Sequence, residues 1–280
     1  MIQAFFMQDT IKLIVTHVCD QEQSGIFIAL LSDLGYYAFE EENNSLFAYI
    51  EENRFDENKL LLLSGLNGNY SFEKIIAQNW NAIWEAEFKP VIIDDYVAVR
   101  AAFHTPILNV KYELIITPKM SFGTAHHATT YLMIDQMQRV NMSGKQVFDF
   151  GTGTGILAIL ASKSGAENVV AIDNDDLSIE NARENIMVNH CENIKVLQKE
   201  VLGGLGKFDV VLANINLHII LKNLEAIREL CSATATVLLS GFLSSDKNSI
   251  ISQCEGEGFE IIRMLERDGW LCIQLQINDL

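Results

Sequence analysis

The chain has 280 residues, 49% of them hydrophobic and only 3 of them proline, so it can bury a sizeable core and is excluded from the disordered class. A formal charge of -17 argues against broad electrostatic binding to nucleic acid, whose phosphates would be repelled; it would steer a basic partner toward the chain, or serves only to keep it in solution. No run approaches the roughly 20 apolar residues of a membrane span, Met1 to Asp20 lacks the basic stretch and cleavage site of a secretory leader, and the 5 scattered cysteines contain no C-x-x-C pair. The expectation is a soluble protein of the reducing cytoplasm, without a zinc site or a disulfide framework.

From the N-terminus, Ile11 to Val15 reads as a strand and Glu22 to Leu34 as an amphipathic helix ended by Gly35. Tyr36 to Phe39 and Leu46 to Ile50 read as strands around "EENNS". A helix over Asp56 to Leu63 and a short strand at Tyr70 to Phe72 would complete a small β-α-β-β-α-β (ferredoxin-like) domain spanning residues 1–75. "QNWNAIWEAEFKP" then predicts a linker helix in 76–90, with Trp80 and Trp84 on one face. Strand-like runs follow at Val91 to Val99 and Tyr112 to Ile116.

"SFGTAHHATTYLMID", Ser121 to Asp135, reads as a loop feeding a helix. Its adjacent His126 and His127 suggest a metal, but helical neighbours do not face one way and no acid or cysteine cluster joins them. Thr129 and Thr130 fit either helix caps or part of a cofactor lid.

From Lys145 onward strands and helices alternate. Strands are expected at Val147 to Phe150, Val169 to Ile172, Ile194 to Leu197, Phe208 to Ala213 and Ala235 to Ser240, with helices to Ser164, His190, Cys231 and Glu257. Such alternation predicts a parallel sheet with helices on both faces, filling a domain over 91–280. Phe259 to Leu265 and Trp270 to Gln276, joined at Asp268-Gly269, read as a hairpin, so the last strand should run antiparallel. That ending is unusual for a dinucleotide oxidoreductase.

The stretch "DFGTGTG" places Gly151, Gly153 and Gly155 between a strand and a helix. Glycines there permit positive φ and let backbone amides approach a ligand without a Cβ in the way. The spacing departs from the G-x-G-x-x-G of NAD-binding folds, with Ile156 where the third glycine belongs. Asp149 would discourage a pyrophosphate but suits a ligand carrying an ammonium and a sulfonium, as S-adenosyl-L-methionine does. Tight packing alone is the competing explanation. Asp173, about 20 residues further on, stands where such folds place their ribose-binding acid, and Asp175 or Asp176 fits helix capping better. Asn214, in "LANIN", sits at the carboxyl end of a strand and could hold an incoming nitrogen by its carbonyl oxygen or merely cap the next helix. Ile215 and Asn216 replace the N-P-P-[YF] of methyltransferases acting on nucleobases or glutamine.

Together "MSFGTAHHATT", "VFDFGTGTGILAI", "AIDND", "LANI" and "LLSGFL" resemble the bacterial ribosomal protein L-eleven (L11) methyltransferases over nearly the whole chain. The resemblance implies an α/β class I methyltransferase fold, a Rossmann-like seven-stranded sheet, behind a mobile substrate-recognition domain. It implies S-adenosylmethionine-dependent trimethylation of lysine side chains and of the N-terminal amine of the large-subunit ribosomal protein L11, by a cytoplasmic monomer. Family contacts to the cofactor fall on Thr130, Gly151, Gly153, Asp173 and Asn214, with Asn214 also the expected amine-orienting residue. The family's usual G-T-G is here Gly123-Thr124-Ala125, and Thr152 stands between glycines where a smaller residue or cysteine is common. The alternatives are methylation of another protein's lysine or amine, a non-catalytic S-adenosylmethionine-binding module, and an NAD-dependent oxidoreductase.

Overall fold

A computed structural model describes residues 8–16, 18, 21–60, 69–76, 88–117, 119 and 122–278. The chain divides into two compact units, Met1–Phe88 and Lys89–Leu280. The expected linker helix, with Trp80 and Trp84, falls on residues 77–87, outside the described residues.

The leading unit is a four-stranded antiparallel sheet in the order β2-β3-β1-β4, made of β1 (Thr10–Thr16), β2 (Ala38–Glu42), β3 (Ser45–Glu51) and β4 (Asn69–Ile75). Helix α1 (Gln21–Asp33) buries Phe27 and Leu31 against Leu13, Val15, Leu46 and Ile50. Gly35, at φ +96°, ends it, and Tyr36 N donates back to Leu31 O (3.0 Å), closing the last turn of the helix. The "EENNS" turn is made by Asn43 and Asn44, both at positive φ, which matches the right-handed twist of the hairpin strands. The last strand is longer than the expected Tyr70 to Phe72, and of the expected helix at Asp56 to Leu63 only a 3-10 turn at 57–60 lies among the described residues.

The second unit opens with a three-stranded sheet, β5 (Val91–Ile93), β6 (Val97–Arg100) and β7 (Tyr112–Ile115). The single strand expected over Val91 to Val99 is two, because Asp94 adopts φ +49° and turns the chain back on itself. An aspartate accepts this left-handed backbone more readily than most residues.

Next comes α2 (Ala128–Met137), and then the main sheet. Its strands are β8 (Gln146–Phe150), β9 (Asn168–Asp173), β10 (Ile194–Gln198), β11 (Phe208–Asn214), β12 (Cys231–Leu243), β13 (Phe259–Arg267) and β14 (Trp270–Ile277). They lie in the order β10-β9-β8-β11-β12-β14-β13. Only β14 opposes its neighbours, as the Asp268-Gly269 hairpin required, with φ +50° and +76° at the turn. Helices α3 (Ile156–Lys163), α4 (Asp176–Val188), α5 (Leu217–Lys222), α6 (Leu224–Leu230) and α7 (Lys247–Gly256) connect the strands.

Two apolar clusters occupy the sheet's faces, one around Met133, Val147, Leu157 and Leu212, the other around Phe148, Val211, Ile227 and Phe259. Consecutive residues of β8, Val147 and Phe148, belong to different clusters, which is why the central strands read as unbroken apolar runs. One helix was expected up to Cys231. Instead it breaks at Asn223 (φ -109°, ψ 9°), and the strand starts at Cys231, where alternating β-branched residues in "SATATV" favour extended backbone. No helix among the described residues is long and apolar enough to cross a membrane.

Candidate cofactor and acceptor site

The site begins where β8 ends. Gly151, Gly153 and Gly155 all take positive φ (+72°, +55° and +82°). At two of them space is also short: a Cβ on Gly151 would lie 2.3 Å from Ile215 Cγ2, and one on Gly153 would lie 2.4 Å from Phe122 O. The Gly151 and Thr152 amides both donate to Ile172 O (2.9 Å each), tying the turn to the end of β9.

Asp149 does not face a ligand, contrary to the expectation that it would meet an ammonium. It is fully buried beneath the turn, accepts from Thr152 Oγ1 (2.6 Å), and leaves Oδ1 without a partner. Burial pushes its carboxyl up to about 7; the Thr152 hydrogen bond opposes this and the nearby Asp173 charge adds to it. Its position follows from the strand: β8 lies between β9 and β11, with Ala171 and Leu212 flanking Asp149 in register.

Asp173 is the last residue of β9. Its Oδ2 accepts from Gly153 N (2.9 Å) and its Oδ1 from Asp175 N (3.1 Å). An ionised carboxylate has about four acceptor sites, so two remain for a ligand. Asp175 caps α4 through Ser178 N and Oγ (2.9 Å each), the duty foreseen for Asp175 or Asp176.

Asn214 is the last residue of β11. Its Nδ2 donates to Thr130 Oγ1 (3.3 Å), and its Oδ1 is buried with no partner. Thr130 is fully buried in α2 and absent from the cleft lining, so it reaches the site through Asn214. Neither Thr129 nor Thr130 caps that helix. His127 does, with Nδ1 accepting from Thr129 N (3.3 Å). At the start of α5 the cap position is Asn216, not Asn214.

These groups open on a cleft of about 710 Å³, a size suited to a small-molecule ligand. Gly151, Gly153, Asp173 and Asn214 all line it. One part of the lining is aromatic: the His127 ring lies 5.1 Å from that of Phe122 and 4.7 Å from that of Trp270, both edge-on. Lys199, Glu200 and Val201 follow β10, while His218 and Lys222 come from α5. Lys199 Nζ is engaged by Gly203 O (2.6 Å). His126 turns elsewhere, to Lys89 O (2.9 Å) and Thr124 O (3.1 Å).

Sequence reasoning missed Trp270 and Gly241 as cleft residues. Trp270 is brought in by the terminal hairpin, far along the chain from the glycine turn, and carried no local signal. Gly241 could have been suspected as a glycine inside a strand. At φ +101°, a Cβ there would lie 2.2 Å from Ile215 O, so the chain after Asn214 passes directly over it.

The donors and acceptors fit S-adenosylmethionine. Asp173 retains acceptor capacity for ribose hydroxyls, the glycine backbone can approach a charged amino-acid moiety, and Asn214 Oδ1 is an unfilled acceptor beside them.

Comparison with known proteins agrees with this geometry. The sequence profile of the family described as "Ribosomal protein L11 methyltransferase (PrmA)" matches residues 14–278. The chain is 35% identical over 268 residues to the ribosomal protein L11 methyltransferase of Phocaeicola vulgatus, covering 92% of this chain and 95% of that protein. It is 38% identical over 255 residues to that of Porphyromonas gingivalis, covering 88% of each. The crystal structure of ribosomal protein L11 methylase from Lactobacillus delbrueckii subsp. bulgaricus superposes with a TM-score of 0.63 at 26% identity, covering 68% of this chain and 100% of that one. With a profile match over nearly its full length and relatives above 30% identity, the chain belongs to the ribosomal protein L11 methyltransferase family.

Proposed function

We propose that this S-adenosylmethionine-dependent enzyme methylates primary amines of ribosomal protein L11, its lysine side chains and N-terminal amine, carrying them up to the trimethyl state. The observation that carries the reading is the orphaned Oδ1 of Asn214, held beside the Asp173 and glycine-turn cleft by the Nδ2 bond to Thr130. A primary or secondary amine nucleophile has hydrogens that need an acceptor, and Asn supplies one without adding a charge; the tertiary amine of the third transfer has none, so Asn214 acts on the first two.

Bound S-adenosylmethionine supplies an activated methyl group on a sulfonium. The chain's part is to position a neutral amine and exclude water. Asp173 would accept from the ribose hydroxyls, and Gly151 and Gly153 would let the backbone close on the cofactor. Asn214 orients the acceptor nitrogen, with Thr130 behind it fixing which way the amide points.

Deprotonating a lysine of pKa about 10.4 at pH 7 costs roughly 4–5 kcal/mol, and an α-amine near 8 about 1–1.5 kcal/mol. His127 is not arranged to meet that cost. Its Nδ1 is taken up at the start of α2 by the Thr129 amide (3.3 Å) and the Thr129 hydroxyl (2.8 Å). On this reading the proton leaves to water. Asn214→Ala should lower kcat about 100-fold, as expected when a reacting group is misplaced by about 1 Å. Full turnover in that variant would remove the orienting role.

On this reading residues 1–75 recognise the protein substrate, residues 76–90 form the connector, and 91–280 perform the transfer, in a cytoplasmic monomer. Removal of the leading unit should abolish activity on intact L11 while S-adenosylmethionine binding survives. Unchanged activity would contradict that division.

A further inference from the structure

Helix α4 and its C-cap present Asn181, Asn185 and Asn189 four residues apart, hence on one face, and all three are buried. A core-facing stripe is ordinarily apolar, since a buried amide is costly unless its hydrogen bonds are made. Two of these amides bind backbone that no strand covers. Asn189 accepts from Ile115 N (3.0 Å) and donates to Ile115 O (2.7 Å), and Asn185 accepts from Thr117 N (2.9 Å). Ile116 between them donates the other way, to Arg100 O (2.8 Å). The asparagines thus take the place of a neighbouring strand along the exit of β7.

Asn185 does one thing more. Its Nδ2 donates to Thr154 O (2.9 Å), within the glycine turn. Thr154 in turn donates from N to Phe122 O (3.0 Å) and from Oγ1 to Gly123 O (2.6 Å). One buried amide therefore joins three pieces of backbone: the β7 exit, the glycine turn, and, through Thr154, the segment bearing Phe122. Phe122 and Gly153 both line the cleft, whereas Asn185 does not.

We infer that Asn185 is a positioning residue for the cofactor. By fixing Thr154 it sets the separation between the glycine turn and the Phe122 segment, so that the two sides of the cleft hold the cofactor together. Asn189 secures the β7 exit and, by donating to Asn185 O (2.8 Å), the end of its own helix, but bonds neither the glycine turn nor the Phe122 segment. The inference rests on the assignment of the cleft as the S-adenosylmethionine site.

The test compares S-adenosylmethionine affinity, by calorimetry on the full chain, and melting temperature for Asn185→Asp and Asn189→Asp. Each variant keeps the acceptor oxygen and replaces the amide donor with a second oxygen facing a carbonyl, so both should lower the melting temperature. The cofactor Kd should rise at least about tenfold in Asn185→Asp and stay within about twofold in Asn189→Asp. Equal effects on Kd, or none in Asn185→Asp, would overturn the inference. Should Asn185→Asp fail to fold, the uncharged Asn185→Ala, which also removes the donor to Thr154 O, decides: a Kd raised by about fivefold supports the link, and an unchanged one overturns it. Asp173→Ala separates failure of the cleft as the cofactor site from failure of the Asn185 role. If it binds cofactor normally, the cleft assignment fails. If it loses binding while Asn185→Asp does not, only the positioning role fails.

Discussion

Asp173 holds the glycine turn by one oxygen and its own following turn by the other, and the lone pairs left over are the ones assigned to the ribose. Hydrogen bonds to a charged group contribute roughly 1.5–3 kcal/mol each, so Asp173→Ala should weaken S-adenosylmethionine binding by at least about tenfold, read by calorimetry. Asp149 acts differently. Its carboxyl is raised to about 7 in the folded chain from an ordinary value of 3.8. Between those values the native state holds a proton that the unfolded state has released, so stability falls as pH rises through the window and levels off above it. Asp149→Asn keeps an acceptor for Thr152 and removes the ionisation. Its unfolding free energy should gain on the parent by roughly 3–4 kcal/mol between pH 4 and pH 8. A constant difference across that range would show that Asp149 titrates normally. Residues at strand ends, such as Asp173 and Asn214, were legible because their place follows from local pattern and spacing. Asp149 and Thr130 were not, since only the assembled sheet and α2 reveal that they lie behind the cleft and not in it.

At the scale of elements, Ile215 is clamped between two glycines. The hypothetical Cβ atoms of Gly151 and Gly241 would meet its side chain and its backbone respectively. The segment leaving β11 is thereby pressed against the start of the glycine turn and against β12 near its carboxyl end. Gly241→Ala would set a methyl against Ile215 O and impose a side chain on φ +101°, so it should destabilise the chain by more than about 2 kcal/mol in denaturant unfolding. A change under about 0.5 kcal/mol, the range of an ordinary surface substitution, would show that the segment yields easily. The turns announced themselves in sequence: Asn43-Asn44 and Asp268-Gly269 are residue pairs that tolerate positive φ, and both close hairpins. The break at Asn223 and the split at Asp94 did not, because neither interrupts the apolar pattern strongly enough to separate one long element from two short ones.

For the whole molecule, the parallel sheet was readable from alternation and the antiparallel β14 from its hairpin, whereas the strand order was not read from the sequence. Pairing of the asparagines on α4 with the β7 exit was not, because it joins residues more than sixty positions apart through side chains that pattern reading treats as polar surface. The net charge of -17 should draw a basic protein substrate toward the enzyme. Raising salt from about 0.05 to 0.5 M should then lower kcat/KM on the protein substrate through association, with kcat nearly constant. A salt-insensitive kcat/KM would mean that the charge serves solubility alone. The most direct measurement is intact-mass spectrometry of purified ribosomal protein L11 after incubation with this enzyme and S-adenosylmethionine, with Asn214→Ala in parallel. The account predicts successive methyl-mass additions on L11, located by fragmentation to lysine side chains and the N-terminal amine and strongly reduced with Asn214→Ala. An unchanged L11 mass, from an enzyme shown to bind the cofactor, would contradict it.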